Sequence, residues 1–235
     1  QLLDLYWRWG YELIRPPLIE YLDSLLTGAG HELDLQTFKL TDQLNGRMMG
    51  VRSDMTTQAT RIDAHRLAAT GPARYCYIGS VLRTRPEEPG GSRQPLQVGA
   101  EKFGDAHIDS DLEIVSLMLE TLDVMGIDEA CLDLGHVAIY RRLVAHAQMP
   151  ADLEPQLFDV VQRKSRPDLD AMAASGRLDA QSHARFTHLI ELNGAPSVLD
   201  DARAALAGID PGIDSALDRL EEMVGLLATH YPQVP

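Results

Sequence analysis

Arg74–Gly104 reads RYCYIGSVLRTRPEEPGGSRQPLQVGAEKFG, and its alternation predicts two antiparallel strands joined by a Pro- and Gly-rich loop. Counting from Tyr75 places Tyr77, Gly79, Val81 and Arg83 on one face of the first strand. Counting from Gln97 places Gly99 and Glu101 together on the second. Two glycines beside an arginine, an amide and a carboxylate predict a pocket floor where a ligand lies against bare backbone. Polar groups of both signs around it would suit a zwitterion. The same residues would also serve as the solvated face of an edge hairpin.

Upstream, Thr37–Arg52 predicts a second hairpin, with Asn45-Gly46 as a turn dipeptide that tolerates positive φ at both centres. It runs into Ser53-Asp54-Met55-Thr56, where Asp54 is placed to cap a helix continuing through Ala59, Ile62 and Arg66. Downstream, Ser110 and Glu113 have capping-box spacing. Leu112, Val115, Leu119, Leu122 and Met125 recur at helical intervals, and Gly126 is placed as the stop. From about Pro150 the strand signals fade into helical ones. In the last of these Asp210-Pro211 reads as cap and first-turn proline before Ile213, Leu217, Leu220, Val224 and Leu227.

These residues resemble a known family. The order GYELIRPPLIEY, FKLTDQLNGRMMGVRSDMTTQATR and then the hairpin with Arg83, Gln97 and Glu101 is similar to the catalytic core of class II aminoacyl-tRNA synthetases, specifically histidyl-tRNA synthetases. Gly10–Tyr21 resembles the family's first motif, a dimer-forming helix and strand ending in proline, and Arg74–Gly104 its second. The spacing of Arg83, Arg93, Gln97, Gly99, Glu101 and Gly104 agrees position by position. The resemblance implies an α+β fold, with an antiparallel sheet flanked by helices. Residues 1–149 would form the core and 150–235 a mainly helical subdomain. It also implies an amino-acid pocket in which Asp54, Thr56 and Gln97 hold the α-amino group of histidine. Glu101 would face the imidazole, and Arg83 would reach the carboxylate or an α-phosphate. Chemistry agrees, because an ammonium needs acceptors and an imidazole N–H gains a charge-assisted bond from a carboxylate.

Departures from the synthetase pattern fall on the nucleotide side. The position two after Arg83, a glutamate that accepts from adenine in the synthetases, is Arg85, which has no acceptor. The ring that stacks on adenine is replaced by Pro95, and the R-P-E-x-T glutamate is shortened to Asp54. An amino-acid pocket without an adenine cradle resembles the synthetase-paralogue family that serves as the regulatory subunit of ATP phosphoribosyltransferase. GRMMGVRSDMTTQATRIDAHRL, LQVGAEKFGDAHIDSDLEI and LDLGHVAIYRRL favour that branch. This implies a non-catalytic protein that forms a homodimer within a hetero-oligomer and activates a short catalytic subunit. L-histidine is its effector, with no cofactor and no tRNA. The alternative is a histidyl-tRNA synthetase fragment that activates histidine with ATP.

Composition sets looser bounds. The 235 residues carry a net charge of -14, which disfavours a broad nucleic-acid surface. Arg83, Arg85 and Arg93 form a local basic cluster, either a contact for an anion or acidic partner or a loop neutralised by Glu87 and Glu88. Aspartates 200, 201, 210, 214 and 218 with Glu221 and Glu222 make the C-terminal segment a poor phosphate binder. Cys76 and Cys131 match no ligand spacing and are expected to be buried free thiols of a cytoplasmic protein; the histidines form no metal motif. No apolar run long enough to span a membrane is present. The chain starts at Gln1 without an initiator methionine and stops at Pro235, where the family would continue; a longer protein is expected.

Overall fold

A computed structural model describes residues 1–27, 31–67, 71–86, 88–150 and 152–234. Glu87, half of the expected neutralising pair, lies outside the described residues. The chain divides into two compact units, Gln1–Asp128 and Glu129–Pro235.

The first unit opens with α1 (Leu2–Arg8), β1 (Glu12–Leu13), β2 (Ile19–Tyr21), α2 (Leu22–Leu25) and α3 (His31–Gln36). It continues with β3 (Phe38–Thr41), β4 (Met48–Val51), α4 (Thr56–Ile62), a π-helical turn at Asp63–Leu67, β5 (Ala73–Ser80), β6 (Leu96–Phe103) and α5 (Ile108–Val124). β5 and β6 form the expected antiparallel hairpin, with Tyr75 opposite Glu101, Tyr77 opposite Gly99 and Gly79 opposite Gln97. Opposed residues share a face, so the alternation read from the sequence holds across both strands. β1 joins β5 in parallel, Glu12 opposite Tyr75, which makes this sheet mixed instead of wholly antiparallel. A two-residue strand has too short a pattern to announce its direction.

Each face of that sheet has its own packing. Cys76 on one face packs with Leu5, Tyr6 and Tyr11 and with Leu117 of α5, while Val98 and Ala100 line the same cluster. On the other face Tyr77 and Val81 pack with Met55 and Ala59 at the start of α4. The second sheet has the order β2-β4-β3, all antiparallel. Gly50 is needed there, because a Cβ would lie 2.8 Å from Leu25 and 2.9 Å from Thr37. Its turn departs from the two-residue form. Asp42 N–H donates to Arg47 O at 2.8 Å and Gly46 N–H to Asp42 O at 2.8 Å, and of the Asn45-Gly46 pair only Gly46 has positive φ (73°).

α5 also begins before the expected cap. His107 is the N-cap residue, Ser110 is buried inside the first turn, and Glu113 is drawn away to Arg74 and Lys102. Gly126 (φ 75°) ends it as expected, with Ile127 N–H closing back on Leu122 O at 3.0 Å.

The second unit contains α6 (Val137–His146), α7 (Glu154–Gln162), α8 (Arg166–Ala174), α9 (Ala180–Glu191), α10 (Val198–Leu206) and α11 (Pro211–His230). Leu157, Leu169, Phe186, Leu206, Ile213 and Leu217 are its fully buried centre. α6 contributes Ile139, Tyr140 and Leu143 to this core, so the packing divides ahead of residues 149 and 150. Asp210 caps α11 by accepting from Gly212 N–H at 2.7 Å. Of the two free cysteines Cys76 is buried, but Cys131 is exposed, against expectation. Among the described residues no helix is long and apolar enough to cross a membrane.

Candidate functional site

The site is built where β4 hands over to α4 beneath the β5–β6 hairpin. Asp54 Oδ1 accepts from Thr56 N–H at 3.0 Å and from Gln97 Nε2 at 2.6 Å. The N-cap residue itself is Met55, so Asp54 serves the helix start from one position earlier. Gln97 Oε1 in turn accepts from Met55 N–H at 3.0 Å. Both ends of the Gln97 amide are thereby used, and β6 is tied to the first turn of α4. Thr56 Oγ1 lies 3.1 Å from the Tyr77 hydroxyl, which donates to Glu101 Oε1 at 2.9 Å. Four of the five residues singled out in the sequence, Asp54, Thr56, Gln97 and Glu101, therefore share one hydrogen-bonded cluster, and all four are half-buried.

The fifth, Arg83, stands on the continuation of the hairpin past Ser80. Its N–H donates to Arg93 O at 2.9 Å, and its Nε donates to Ser53 O at 3.4 Å. The guanidinium thus approaches the strand–helix junction one residue before Asp54. Arg93 lies over the Phe38 ring at 4.9 Å, and Arg85 is exposed.

The bare backbone expected at the two glycines is not bare. A Cβ on Gly99 would fall 2.5–2.6 Å from atoms of the Tyr77 ring, and one on Gly79 would fall 2.5 Å from Arg52. Tyr77 and Arg52 occupy the space that the glycines vacate; the sequence placed Tyr77 on this face without giving it a role, and Arg52 was missed. Arg52, 7 % exposed, donates from Nε to Ser80 O at 3.0 Å and from an Nη to Pro16 O at 2.5 Å. Two backbone carbonyls accept from the buried cation, and its desolvation lowers the guanidinium pKa. No signal in the sequence links them, because Arg52 follows β4 of one sheet and Gly79 lies on β5 of the other.

Burial raises the Glu101 pKa, and neighbouring Asp54 adds to the rise, while hydroxyl donors from Tyr77 and Thr56 oppose it. Tyr77 is pushed well above the ordinary phenol range, first by burial and then by the Glu101 and Asp54 carboxylates. The hydrogen bonds described for these two carboxylates come from neutral donors, Thr56 N–H and Gln97 Nε2 to Asp54 and the Tyr77 hydroxyl to Glu101, and two neighbouring carboxylates favour a bound cationic group.

A second ionic centre sits on the opposite sheet face. Glu113 accepts both Arg74 contacts, at 2.6 and 2.8 Å, as well as Lys102 Nζ at 2.7 Å and the Tyr11 hydroxyl at 3.0 Å. Arg74 first, then Lys102 and Tyr11, hold its pKa down to about 2 against burial. Its partners saturate the carboxylate, so it braces α5 against the hairpin. A cleft of about 550 Å³ lies farther along α4, between Ile14, Pro17, Glu20, Arg61 and His65. Two of its polar groups, Glu20 and Arg61, are paired with each other, and Gln58 also bonds Glu20.

The profile of the histidyl-tRNA synthetase family matches residues 1–235. The chain belongs to that family. Within it, the sequence is 56% identical over 234 residues to the ATP phosphoribosyltransferase regulatory subunit of Thioalkalivibrio sulfidiphilus, covering 100% of this chain and 59% of that protein. The chain therefore spans about three-fifths of the length of the curated relatives it matches. Among solved structures, an ATP phosphoribosyltransferase regulatory subunit/histidyl-tRNA synthetase from Bacillus halodurans superposes with a TM-score of 0.81 at 24% identity, over 97% of this chain and 59% of that one. An ATP phosphoribosyltransferase complex from Thermotoga maritima gives a TM-score of 0.64 at 18% identity, over 99% and 76%. These likenesses establish the synthetase-like α+β fold.

Proposed function

We propose that this chain is part of the regulatory subunit of ATP phosphoribosyltransferase and is itself non-catalytic. In this reading it binds L-histidine, activates a short catalytic subunit and conveys feedback inhibition to it. Asp54 and Thr56, with Gln97 steadying Asp54, receive the α-ammonium; Glu101 receives an imidazole N–H, and Arg83 the carboxylate. The observation that carries the reading is the asymmetry of the site. Acceptors for an ammonium and an imidazole share one hydrogen-bonded cluster, whereas the adenine positions of the synthetases hold the donor-only Arg85 and Pro95. The 56% identity to a protein of that name supports it. A homodimer within a hetero-oligomer, cytoplasmic location and independence of tRNA and cofactors belong to the same proposal.

The deciding experiment measures ATP phosphoribosyltransferase activity of the short catalytic subunit, with and without the full-length protein, over a histidine titration. Activation that histidine reverses is expected; no activation rejects the reading. The family's own activity, formation of histidyl-adenylate, is the second reading, favoured by the retained amino-acid cluster. Losing the groups that position a nucleotide removes most of the rate such a reaction depends on. Histidine-dependent exchange of pyrophosphate into ATP by the full-length protein should be absent, and clear exchange would establish the second reading.

A further inference from the structure

Tyr77 is 3 % exposed, its ring lies on Gly99, and its hydroxyl stands between Thr56 Oγ1 at 3.1 Å and Glu101 Oε1 at 2.9 Å. A phenol has one hydrogen, and a carboxylate only accepts. Tyr77 therefore commits its hydrogen to Glu101, and the Thr56 hydrogen is turned inward to the phenol oxygen and the carboxylate behind it. The polarity of the chain is then fixed. Thr56 presents only lone pairs outward, beside the Asp54 carboxylate, and Glu101, which takes the Tyr77 hydrogen on Oε1, remains a pure acceptor towards a ligand. Glycine at 99 makes this possible, since a Cβ there would overlap the Tyr77 ring at 2.5 Å.

Building on the histidine-site reading, we infer that Tyr77 is a positioning and specificity-determining residue. It makes both ends of the pocket hydrogen-bond acceptors and couples them, so the site takes an amino acid that donates from its ammonium and from its side chain. An amino acid whose side chain only accepts would leave Glu101 facing an acceptor, and a purely apolar one would leave it unpaired; both situations are costly in a half-buried site. The titratable groups acting on Glu101 are Tyr77 on β5 and Asp54 ahead of α4. Removing the phenol hydroxyl withdraws a donor from the carboxylate and frees the Thr56 hydrogen to point at the ligand.

The test uses Tyr77→Phe in the full-length protein, a change that keeps the ring on Gly99. In the ligand-free protein, NMR of the Glu101 side-chain carboxyl should show its titration moving to higher pH in the variant; an unmoved titration overturns the bridge whether or not histidine binds. Calorimetric affinity for L-histidine should fall about tenfold, the scale of a hydrogen bond to a charged group. The separate losses from Thr56→Val and Glu101→Gln should be non-additive with Tyr77 present and additive in the Tyr77→Phe background. Additivity in both backgrounds overturns the coupling. Wild type that fails to bind histidine rejects the ligand assignment and with it the specificity, leaving the carboxyl titration to decide the bridge itself.

Discussion

Gly79 and Gly99 have no side chains because Arg52 and Tyr77 already fill the volume above them, each within 2.5 Å of where a Cβ would go. Gly79→Ala would push a buried guanidinium away from Ser80 O and Pro16 O, leaving a desolvated cation short of acceptors. A loss of about 2–4 kcal/mol in denaturant stability is expected, from strain plus an unsatisfied buried group; an unchanged midpoint would show that the arginine has room to move. Glu101 behaves in the opposite way. Burial holds its folded pKa above the unfolded value, so its ionisation opposes folding and the penalty grows as pH rises from the unfolded pKa through the folded one. Glu101→Gln keeps an oxygen to accept from Tyr77 and removes the buried charge. Its thermal midpoint at pH 7 should equal or exceed that of wild type, while histidine affinity drops by about 1.5–3 kcal/mol, the usual worth of a charged hydrogen bond. Calorimetry and a melting curve on the same sample check both halves, and retained affinity would remove Glu101 from the site.

At the scale of elements, the hairpin β5–β6 is held from both sides by different chemistry. On one face Gln97 and Asp54 pin it to the first turn of α4; on the other Arg74 and Lys102 pin it to α5 through Glu113. The Glu113 side chain is 16% exposed and Lys102 only 5%, so this ion cluster is screened less than a surface pair. Its folded pKa of about 2 lies below the unfolded carboxylate value, so the stabilisation is fully present above about pH 4.5 and is lost as pH falls towards 2. Glu113→Gln should cost roughly 1–3 kcal/mol at pH 7, with the gap to wild type closing as both are acidified through that window. Urea titrations at several pH values give the answer; a pH-independent gap would mean that packing and not charge links α5 to the sheet. The capping box read from Ser110 and Glu113 does not form, because α5 starts from His107 and Glu113 is held by Arg74 and Lys102. Spacing cannot reveal that two cations from β5 and β6 compete for the glutamate.

For the whole molecule, the two units hold different features. The acceptor cluster lies entirely within Gln1–Asp128, and the helical unit is organised around Phe186, Leu157 and Leu217, each fully buried. Phe186→Ala should destabilise the helical unit by about 3–5 kcal/mol and leave histidine affinity of the folded protein unchanged. Hydrogen exchange with calorimetry would register both effects, and a large loss of affinity would show that the units are energetically linked. If histidine regulates a partner, it must bind the less active assembly more tightly, since equal affinity for both states shifts nothing. Asp54→Ala with Gln97→Ala should then relieve histidine inhibition of the catalytic subunit while preserving most of its activation. Inhibition that persists unaltered in this double variant would place the sensor outside the cluster.

Periodicity and turn chemistry alone determined the β5–β6 face, the stop at Gly126 and the Asp210-Pro211 start of α11, because each is set by backbone preferences within a few residues. The grouping of Asp54, Thr56, Gln97 and Glu101 came from the order and spacing of motifs, which preserve a geometry that no local propensity encodes. Only the tertiary structure decided the parallel entry of β1, the exposure of Cys131, the placing of Arg52 and Tyr77 over the two glycines, and the capture of Glu113. All depend on contacts between segments far apart in the chain. There a short strand, a small residue or a charge is given its role by what packs against it, and a one-dimensional pattern contains no record of that neighbour.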